Sequence, residues 1–124
     1  MAKPLTGHIQ TDMIRRKPIR WLGDSLNRVR DFPEDARHSA GTELRHVQQG
    51  ESPADWKPMA TVGAGVNEIR VHGGREYRLL YVAKFSETVY VLHAFEKKAR
   101  RTAKRDIDLA AKRYRDLMAE RRAK

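Results

Sequence analysis

The chain contains no cysteine, which excludes disulfide bonds, cysteine nucleophiles and thiolate metal sites. It also has no apolar run that approaches the roughly 18 residues of a membrane-spanning helix. The first 17 positions include basic residues, but no apolar segment follows them as it would in a secretory signal. These absences favour a protein of the reducing cytoplasm.

Most motifs of nucleotide and metal enzymes are missing too. There is no GxxxxGK[ST] segment for a P-loop. Gly63-Ala64-Gly65 precedes a predicted strand, whereas a dinucleotide fingerprint opens a helix. Acidic residues are dispersed, so the clustered carboxylates of a two-metal nuclease are not expected. The histidines are scattered without the close spacing of a ligand pair: His8, His38, His46, His72 and His93. We therefore expect no metal and no other cofactor.

Positive charge is abundant instead. The 124 residues include 26 Lys and Arg against 16 Asp and Glu, a net charge of +10 with histidine neutral. A charge of this size predicts polyanionic partners. Nucleic acid comes first, because each neutralised phosphate releases counterions; an anionic membrane surface or an acidic protein comes second. The length fits one domain.

The N-terminal half has helical periodicity. Residues 1–17 show no clear period and predict a loose leader before a single domain of residues 18–124. Alternating apolar residues predict a short strand at 18–22, and apolar spacing then predicts two helices that form a hairpin and end at Gly50. The second helix has one narrow apolar stripe: Ala36, Ala40, Leu44 and Val47. Residues 51–65, with several Pro and Gly, are predicted to be a loop.

Three strands and a last helix are predicted in the C-terminal half. The strands span 66–72, 76–85 and 89–95, with a hairpin at Gly73-Gly74. The helix spans 103–121, with an apolar face of Ile107, Ala110, Ala111, Tyr114, Leu117 and Met118. The order predicts an α+β domain, in which the N-terminal strand and the helical hairpin pack on an antiparallel sheet that the C-terminal helix closes.

Cations are concentrated on the predicted sheet and just after it. Glu68, Arg70 and His72 share one face of a strand by the period of two. Arg78 and Lys84 interrupt the next, apolar strand, and a basic run follows the third: Lys97, Lys98, Arg100, Arg101, Lys104 and Arg105. We expect these cations at one end or one face of the sheet.

Each cation has a structural and a functional interpretation. Arg78 inside an apolar strand is costly to bury alone, so it either pairs with Glu68 or Glu76 or holds a phosphate, whose oxygens match the planar guanidinium. The basic run after the third strand is either a solvated charged segment or an RNA contact. The residues alone leave these alternatives open.

Several segments resemble the HigB-type branch of the RelE/ParE toxin superfamily, including its phage-derived members. The resemblance covers roughly residues 18–117. The segments that carry it are Trp56-Lys57-Pro58-Met59, Glu68-Ile69-Arg70, Tyr77-Arg78-Leu79-Leu80-Tyr81, Leu92-His93-Ala94-Phe95-Glu96-Lys97-Lys98, and Asp106-Ile107 with Ala110. The fold of that superfamily, a helical hairpin on an antiparallel sheet with a closing helix, agrees with the pattern above.

The resemblance implies the toxin of a type II toxin–antitoxin system. Such a toxin is a metal-independent endoribonuclease that cleaves mRNA in the ribosomal A site and is neutralised by an antitoxin protein, expected here to carry a helix-turn-helix domain. The ribose 2′-oxygen attacks the adjacent phosphate, so cations must stabilise the phosphorane. The resemblance implies catalytic roles for Arg70, Arg78, Lys97, Lys98 and Lys104. Arg100, Arg101 and Lys84 would bind RNA.

The general base is not assigned by the resemblance. Several relatives carry a catalytic Tyr or His just after the basic turn, where this chain has Thr102-Ala103-Lys104. Lys104, Lys98 and His93 are the candidates, because a lysine among other cations has a lowered pKa. Two other functions stay open: a gyrase-poisoning ParE-type toxin, and a non-catalytic RNA-binding module.

Overall fold

A computed structural model, which describes residues 16–124, contains five strands and three helices. In chain order they are β1 (Ile19–Trp21), α1 (Ser25–Arg30), α2 (Glu34–Gln48), β2 (Trp56–Pro58), β3 (Val66–Gly73), β4 (Arg75–Val82), β5 (Val89–Lys97) and α3 (Lys104–Arg122). The predicted α+β class is confirmed. None of these helices is long and apolar enough to cross a membrane.

The five strands form one sheet in the order β1-β5-β4-β3-β2. The sheet is mixed and not antiparallel as predicted, because β1 pairs in parallel with β5 while the other neighbours are antiparallel. A second correction concerns the predicted loop 51–65, which contains β2. Three residues that include a proline give no alternating signal, and Pro58 is tolerated because β2 lies at the edge of the sheet.

Helices cover both faces of the sheet. On one side, called the hairpin face, α1 and α2 pack against Tyr77, Leu79 and Tyr81 of β4. On the other side, called the α3 face, α3 packs against Leu80 and Val82. The predicted helical stripes are confirmed, since all four apolar residues of the α2 stripe are buried. All six apolar residues of α3 contribute to the core on its own face.

A β-bulge changes which residues of β5 reach each face. Leu80 is opposite His93, but Tyr81 is opposite Val91, so Leu92 is an extra residue in β5. Leu92 joins the core on the α3 face, and His93 bonds to a residue of α3. After the bulge, Ala94 belongs to the hairpin face.

The start of the described chain is attached to the domain. The Lys17 backbone N–H donates to the Gln48 carbonyl at 2.9 Å, and the Lys17 ammonium donates to the Ala83 and Phe85 carbonyls, both at 2.9 Å. Lys17, the last residue of the predicted leader, therefore belongs to the domain. Arg16 is exposed and lies in no helix or strand, and residues 1–15 of the predicted leader lie outside the described residues.

Candidate nucleic-acid interface

Polar side chains of the α3 face collect at the end of the sheet where β3 turns into β4. The turn is tight because Gly74 adopts φ +80°, which a residue with a side chain rarely does. The register pairs Arg70 with Arg78 and His72 with Glu76, and Glu76 in turn lies opposite Lys97 of β5. The face that the sequence assigned to Glu68, Arg70 and His72 thus extends across three strands.

His72 is held between two carboxylates. Its Nδ1 donates to Glu76 Oε2 at 2.8 Å, and its Nε2 donates to Asp55 Oδ2 at 2.6 Å. The bond to Asp55, followed by the bond to Glu76, raises the pKa of His72 above its usual value. Among residues 16–124, no group of three or more His, Asp or Glu side chains has an arrangement that could hold a metal ion.

Arg78 is enclosed by carboxylates and a carbonyl. Its Nη1 donates to Glu76 Oε1 at 2.9 Å and to the Tyr77 carbonyl at 3.0 Å. Its Nε lies 3.8 Å from Glu68 Oε1, and its side chain is only 6% exposed. The ion-pair interpretation of Arg78 is confirmed for both carboxylates. Within the described residues, the buried Nε has no hydrogen-bond partner, but the guanidinium does not stand open for a phosphate, because almost none of the side chain reaches the surface.

Arg70 is the accessible arginine of the pair. Its Nε donates to Glu68 Oε1 at 3.3 Å, yet its side chain is 30% exposed while that of Glu68 is 2% exposed. The buried Glu68 carboxylate therefore orients two arginines. Arg78 lies below the surface, and Arg70 can contact a ligand.

The preceding contacts form one polar network, whose members are Asp55, Glu68, Arg70, His72, Glu76 and Arg78. A cavity of about 770 Å³ opens beside this polar network, and we call it the cationic cavity. It is lined by residues from β2, β5, the loop after β5, and α3, among them Lys57, Lys97, Arg100, Arg101 and Lys104. Since β3 and β4 lie between β2 and β5, the cavity spans the strands that carry the network. Within the described part of the chain, only Lys104 of these five cations has an ion-pair partner, Asp108 at 2.7 Å.

Lys98 is separated from Lys97. Lys98 is exposed and lines a different cavity, of about 610 Å³, whose walls come from β4, β5, α1 and α3, although both lysines line a small cleft of about 190 Å³ beside the loop. Successive residues of a strand point to opposite faces, so adjacent lysines at its end diverge. Of the two lysines, Lys97 lines the cationic cavity and Lys98 does not.

Lys84 lies at the opposite end of the sheet from the cationic cavity. β4 ends at Val82, two residues before Lys84. The Lys84 ammonium donates to the Ala64 carbonyl at 3.1 Å and lies over the ring of Tyr114 in α3. The expectation that Lys84 joins the other cations at one end is therefore wrong, because β4 runs away from the cationic cavity and Lys84 lies beyond its far end.

Two candidates for the general base occupy unsuitable surroundings. His93 is fully buried and donates from Nε2 to Asp106 Oδ1 at 2.7 Å; burial lowers its pKa, and no ligand on the surface can reach it. For Lys104, the hydrogen bond to Asp108 raises the pKa of the ammonium, which opposes the lowering expected among cations. An amine with a raised pKa stays protonated and is a poor base.

The residues of the polar network and of the cationic cavity all fall within the part of the sequence that matches one protein-family model. The family model described as Phage derived protein Gp49-like (DUF891) matches residues 27–115. The chain belongs to this family. The Gp49-like family is phage-derived and associated with toxin–antitoxin systems. No curated protein matches the sequence.

Sequence reasoning missed four residues of the interface in this Gp49-like chain. Asp55 and Lys57 fall in the segment predicted to be a loop, whereas His72 and Glu76 were noted only as neighbours of arginines. The alternation of Glu68, Arg70 and His72 was a usable signal for His72. Nothing local shows that Asp55 bonds to His72, because their contact depends on how residues 51–58 return along β3.

Proposed function

We propose that this Gp49-like protein is the toxin of a toxin–antitoxin system and cleaves mRNA on the ribosome without a metal ion. The observation that carries the proposal is the cationic cavity. It gathers five cations around one concave surface, next to a network that holds Arg70 and His72 at the same face. Association of the family with toxin–antitoxin systems supports the biological role.

The proposed reaction is an internal transesterification of RNA. The ribose 2′-oxygen bonds to the adjacent phosphorus, and the bond from phosphorus to the 5′-oxygen breaks. A base accepts the 2′-hydroxyl proton, and an acid protonates the departing 5′-oxygen, which leaves a cyclic phosphate and a free 5′-hydroxyl. Negative charge grows on the phosphoryl oxygens in between, so fixed cations lower the barrier.

The accessible cations have different roles in this proposal. Arg70 and Lys97 hold and neutralise the reacting phosphate, since both lie on the α3 face beside the network. Lys57, Arg100 and Arg101 contact flanking phosphates. Arg78 acts as a positioning residue, because its hydrogen bond to Glu76 holds the carboxylate that also bonds to His72.

Proton transfer is assigned to His72 and Asp55. A larger fraction of His72 is protonated at neutral pH than of an ordinary histidine, because its two carboxylate neighbours raise its pKa. A substrate that separates the pair would leave an imidazolium that can protonate the 5′-oxygen and a carboxylate that can accept the 2′-hydroxyl proton. Both side chains are more than two-fifths exposed, so a substrate can reach them.

Mapping of mRNA ends on translating ribosomes tests the function. The purified protein should create new 5′ ends with hydroxyl groups only when ribosomes and mRNA are both present, and the double variant Lys57→Ala, Lys97→Ala should create none. The matched double variant Lys112→Ala, Arg115→Ala, on the exposed side of α3, should behave as the unmodified protein. Absence of new ends would refute the nuclease, and inhibition of gyrase supercoiling would identify a gyrase-poisoning toxin.

One observation favours a second function, a non-catalytic RNA-binding module. The carboxylates around Arg78 and the burial of His93 reduce the groups available for catalysis, while the cationic cavity remains able to bind phosphates. Such a module would retain RNA with the same dependence on Lys57 and Lys97 but leave every RNA intact in the end-mapping experiment.

A further inference from the structure

The exposed side of α2 carries a shallow notch with a glycine at its centre. Five residues line a cavity of about 410 Å³, which we call the α2 notch: Arg37, His38, Gly41, Thr42 and Arg45. All five are exposed. Arg37, Gly41 and Arg45 follow at intervals of four residues, so they lie on one side of the helix. At a rise of about 1.5 Å per residue, the two arginines are attached about 12 Å apart along the helix axis.

Neither the packing nor the backbone of α2 requires a glycine at position 41. A Cβ atom added to Gly41 would meet no other part of the described chain within 4 Å, and the φ angle of Gly41 is not positive. Glycine is less favourable in the interior of a helix than any residue except proline. A side chain at this position would therefore stabilise α2, whereas its absence keeps the floor of the α2 notch open to the close approach of a ligand.

The charges of the α2 notch suit an anion. Its lining contains two guanidinium groups and no carboxylate. Both Arg37 and Arg45 are exposed, and neither forms an ion pair within residues 16–124. The carboxylates of α2 lie elsewhere, since Glu34 and Asp35 belong to its first turn and Glu43 accepts a hydrogen bond from a backbone N–H at 2.8 Å.

The other groups of the α2 notch favour a nucleic-acid duplex. Among the described residues, the lining includes no Phe, Tyr or Trp, on which the bases of a single strand would stack. A duplex hides its bases and presents phosphates and sugars instead. The hydroxyl of Thr42 and the imidazole of His38 can exchange hydrogen bonds with the ribose 2′-hydroxyl groups of RNA, which DNA lacks.

We propose that the α2 notch binds the phosphate backbone of an RNA duplex. A phosphate lies over Gly41, where no side chain intervenes, and Arg37 and Arg45 donate to it and to its neighbours from either side. The helix packs on the hairpin face, whereas the cationic cavity is lined by α3 on the opposite face. The protein therefore holds two RNA segments, one on each side of its sheet. The segment at the cationic cavity rests on the proposed function, but duplex binding requires no cleavage.

Binding of the purified protein to a fluorescein-labelled RNA duplex of about 16 base pairs tests the proposal. The double variant Arg37→Ala, Arg45→Ala should weaken binding by about tenfold or more. It should also reduce the slope of log affinity against log salt concentration by about one to two units. The matched control Arg115→Ala, Arg122→Ala removes two exposed arginines of α3 and should change the affinity by less than about twofold. Equal weakening by both double variants would assign binding to net charge and overturn the proposal.

The variant Gly41→Leu separates a binding role of this glycine from a structural one. Leucine is a good helix former, so the midpoint of thermal unfolding should rise, while the added side chain fills the α2 notch and duplex affinity should fall severalfold. The control Ser39→Leu places the same side chain on an exposed position of α2 outside the notch and should bind the duplex as the unmodified protein does. Unchanged duplex affinity in Gly41→Leu, or a lower unfolding midpoint, would contradict the proposal.

Two further measurements decide which molecule occupies the α2 notch. A DNA duplex of the same sequence should bind severalfold more weakly, and Thr42→Val should reduce that preference; equal affinity for both duplexes would make the assignment to RNA wrong. If Arg37→Ala, Arg45→Ala leaves duplex affinity unchanged but weakens binding of the product of the adjacent gene, the notch is a protein contact and the proposal fails. None of these measurements depends on mRNA cleavage, so failure of the proposed nuclease and failure of duplex binding are distinguishable.

Discussion

Arg78 and Glu68 are buried beside each other on the α3 face, with Arg78 Nε 3.8 Å from Glu68 Oε1 and the two side chains 6% and 2% exposed. Removing one member leaves the other as a buried charge with fewer partners. We expect Arg78→Ala to lower the free energy of unfolding by about 3–5 kcal/mol, measured by urea denaturation. The accessible Arg70 is the control, and Arg70→Ala should cost clearly less. Equal losses would show that burial does not distinguish the two arginines.

Arg70 is expected to matter for activity more than for stability. If it stabilises charge on the reacting phosphate, Arg70→Ala should slow single-turnover mRNA cleavage on ribosomes by about 100-fold or more. Arg70→Lys should recover only part of the rate, because an ammonium lacks the planar guanidinium geometry. Lys84→Ala, at the other end of the sheet, should cleave at the unmodified rate. If Lys84→Ala instead cleaves mRNA more slowly than the unmodified protein, Lys84 contributes to the interface and its exclusion is wrong.

The cationic cavity should set the salt dependence of ribosome binding. Each lysine or arginine that neutralises a phosphate adds somewhat less than one unit to the slope of log affinity against log salt concentration. The double variant Lys97→Ala, Arg101→Ala should therefore reduce the slope by about one to two units. The equally charged control Lys112→Ala, Arg115→Ala should leave the slope unchanged. A slope that both variants reduce equally would point to net charge and not to the cavity.

His72 should make stability depend on pH in one direction. Its pKa in the folded protein is raised, first by the bond to Asp55 and then by the bond to Glu76. Its stabilising contribution is therefore complete below the unfolded pKa of about 6.5 and is lost as pH rises through the folded value. His72→Gln should lose more stability at about pH 5.5 than at about pH 8.5, as measured by urea denaturation. The opposite trend would mean that the imidazolium is not held by the carboxylates.

The helical part of the fold was predictable because its signal is local. Ala36, Ala40, Leu44 and Val47 repeat at the helical period, and all four are buried in α2. β2 has no such signal, since three exposed residues that include Pro58 form a strand only by pairing with β3. The parallel pairing of β1 with β5 also depends on contacts between distant segments.

The candidate interface was predictable only in part, because a bulge decides which of two adjacent lysines reaches the cationic cavity. Counted from Val89 by the period of two, Lys98 would share the α3 face with Tyr90. The extra residue Leu92 shifts the alternation by one, so Lys97 reaches the cationic cavity, whereas Lys98 lines the cavity of about 610 Å³. The bulge also places Leu92 and His93 together under α3, which buries the histidine. A one-residue shift leaves no clear mark in the sequence.

The accessible cations predict how a neutralising partner would act on the proposed toxin. If the partner binds away from the cationic cavity, it can block entry into the ribosome by its bulk while the cationic cavity stays uncovered. Arg70→Ala and the double variant Lys97→Ala, Arg101→Ala should then bind the partner normally, and Arg70→Ala should fail to arrest growth.

Calorimetry with the purified partner, taken as the product of the adjacent gene, supplies the deciding measurement. A loss of more than about 2 kcal/mol of binding free energy in Arg70→Ala would mean that the partner covers the catalytic cations. Steric exclusion would then be wrong, because a partner that acts by bulk alone has no need to contact Arg70. Unchanged binding by both variants would place the contact away from the cationic cavity, as steric exclusion requires.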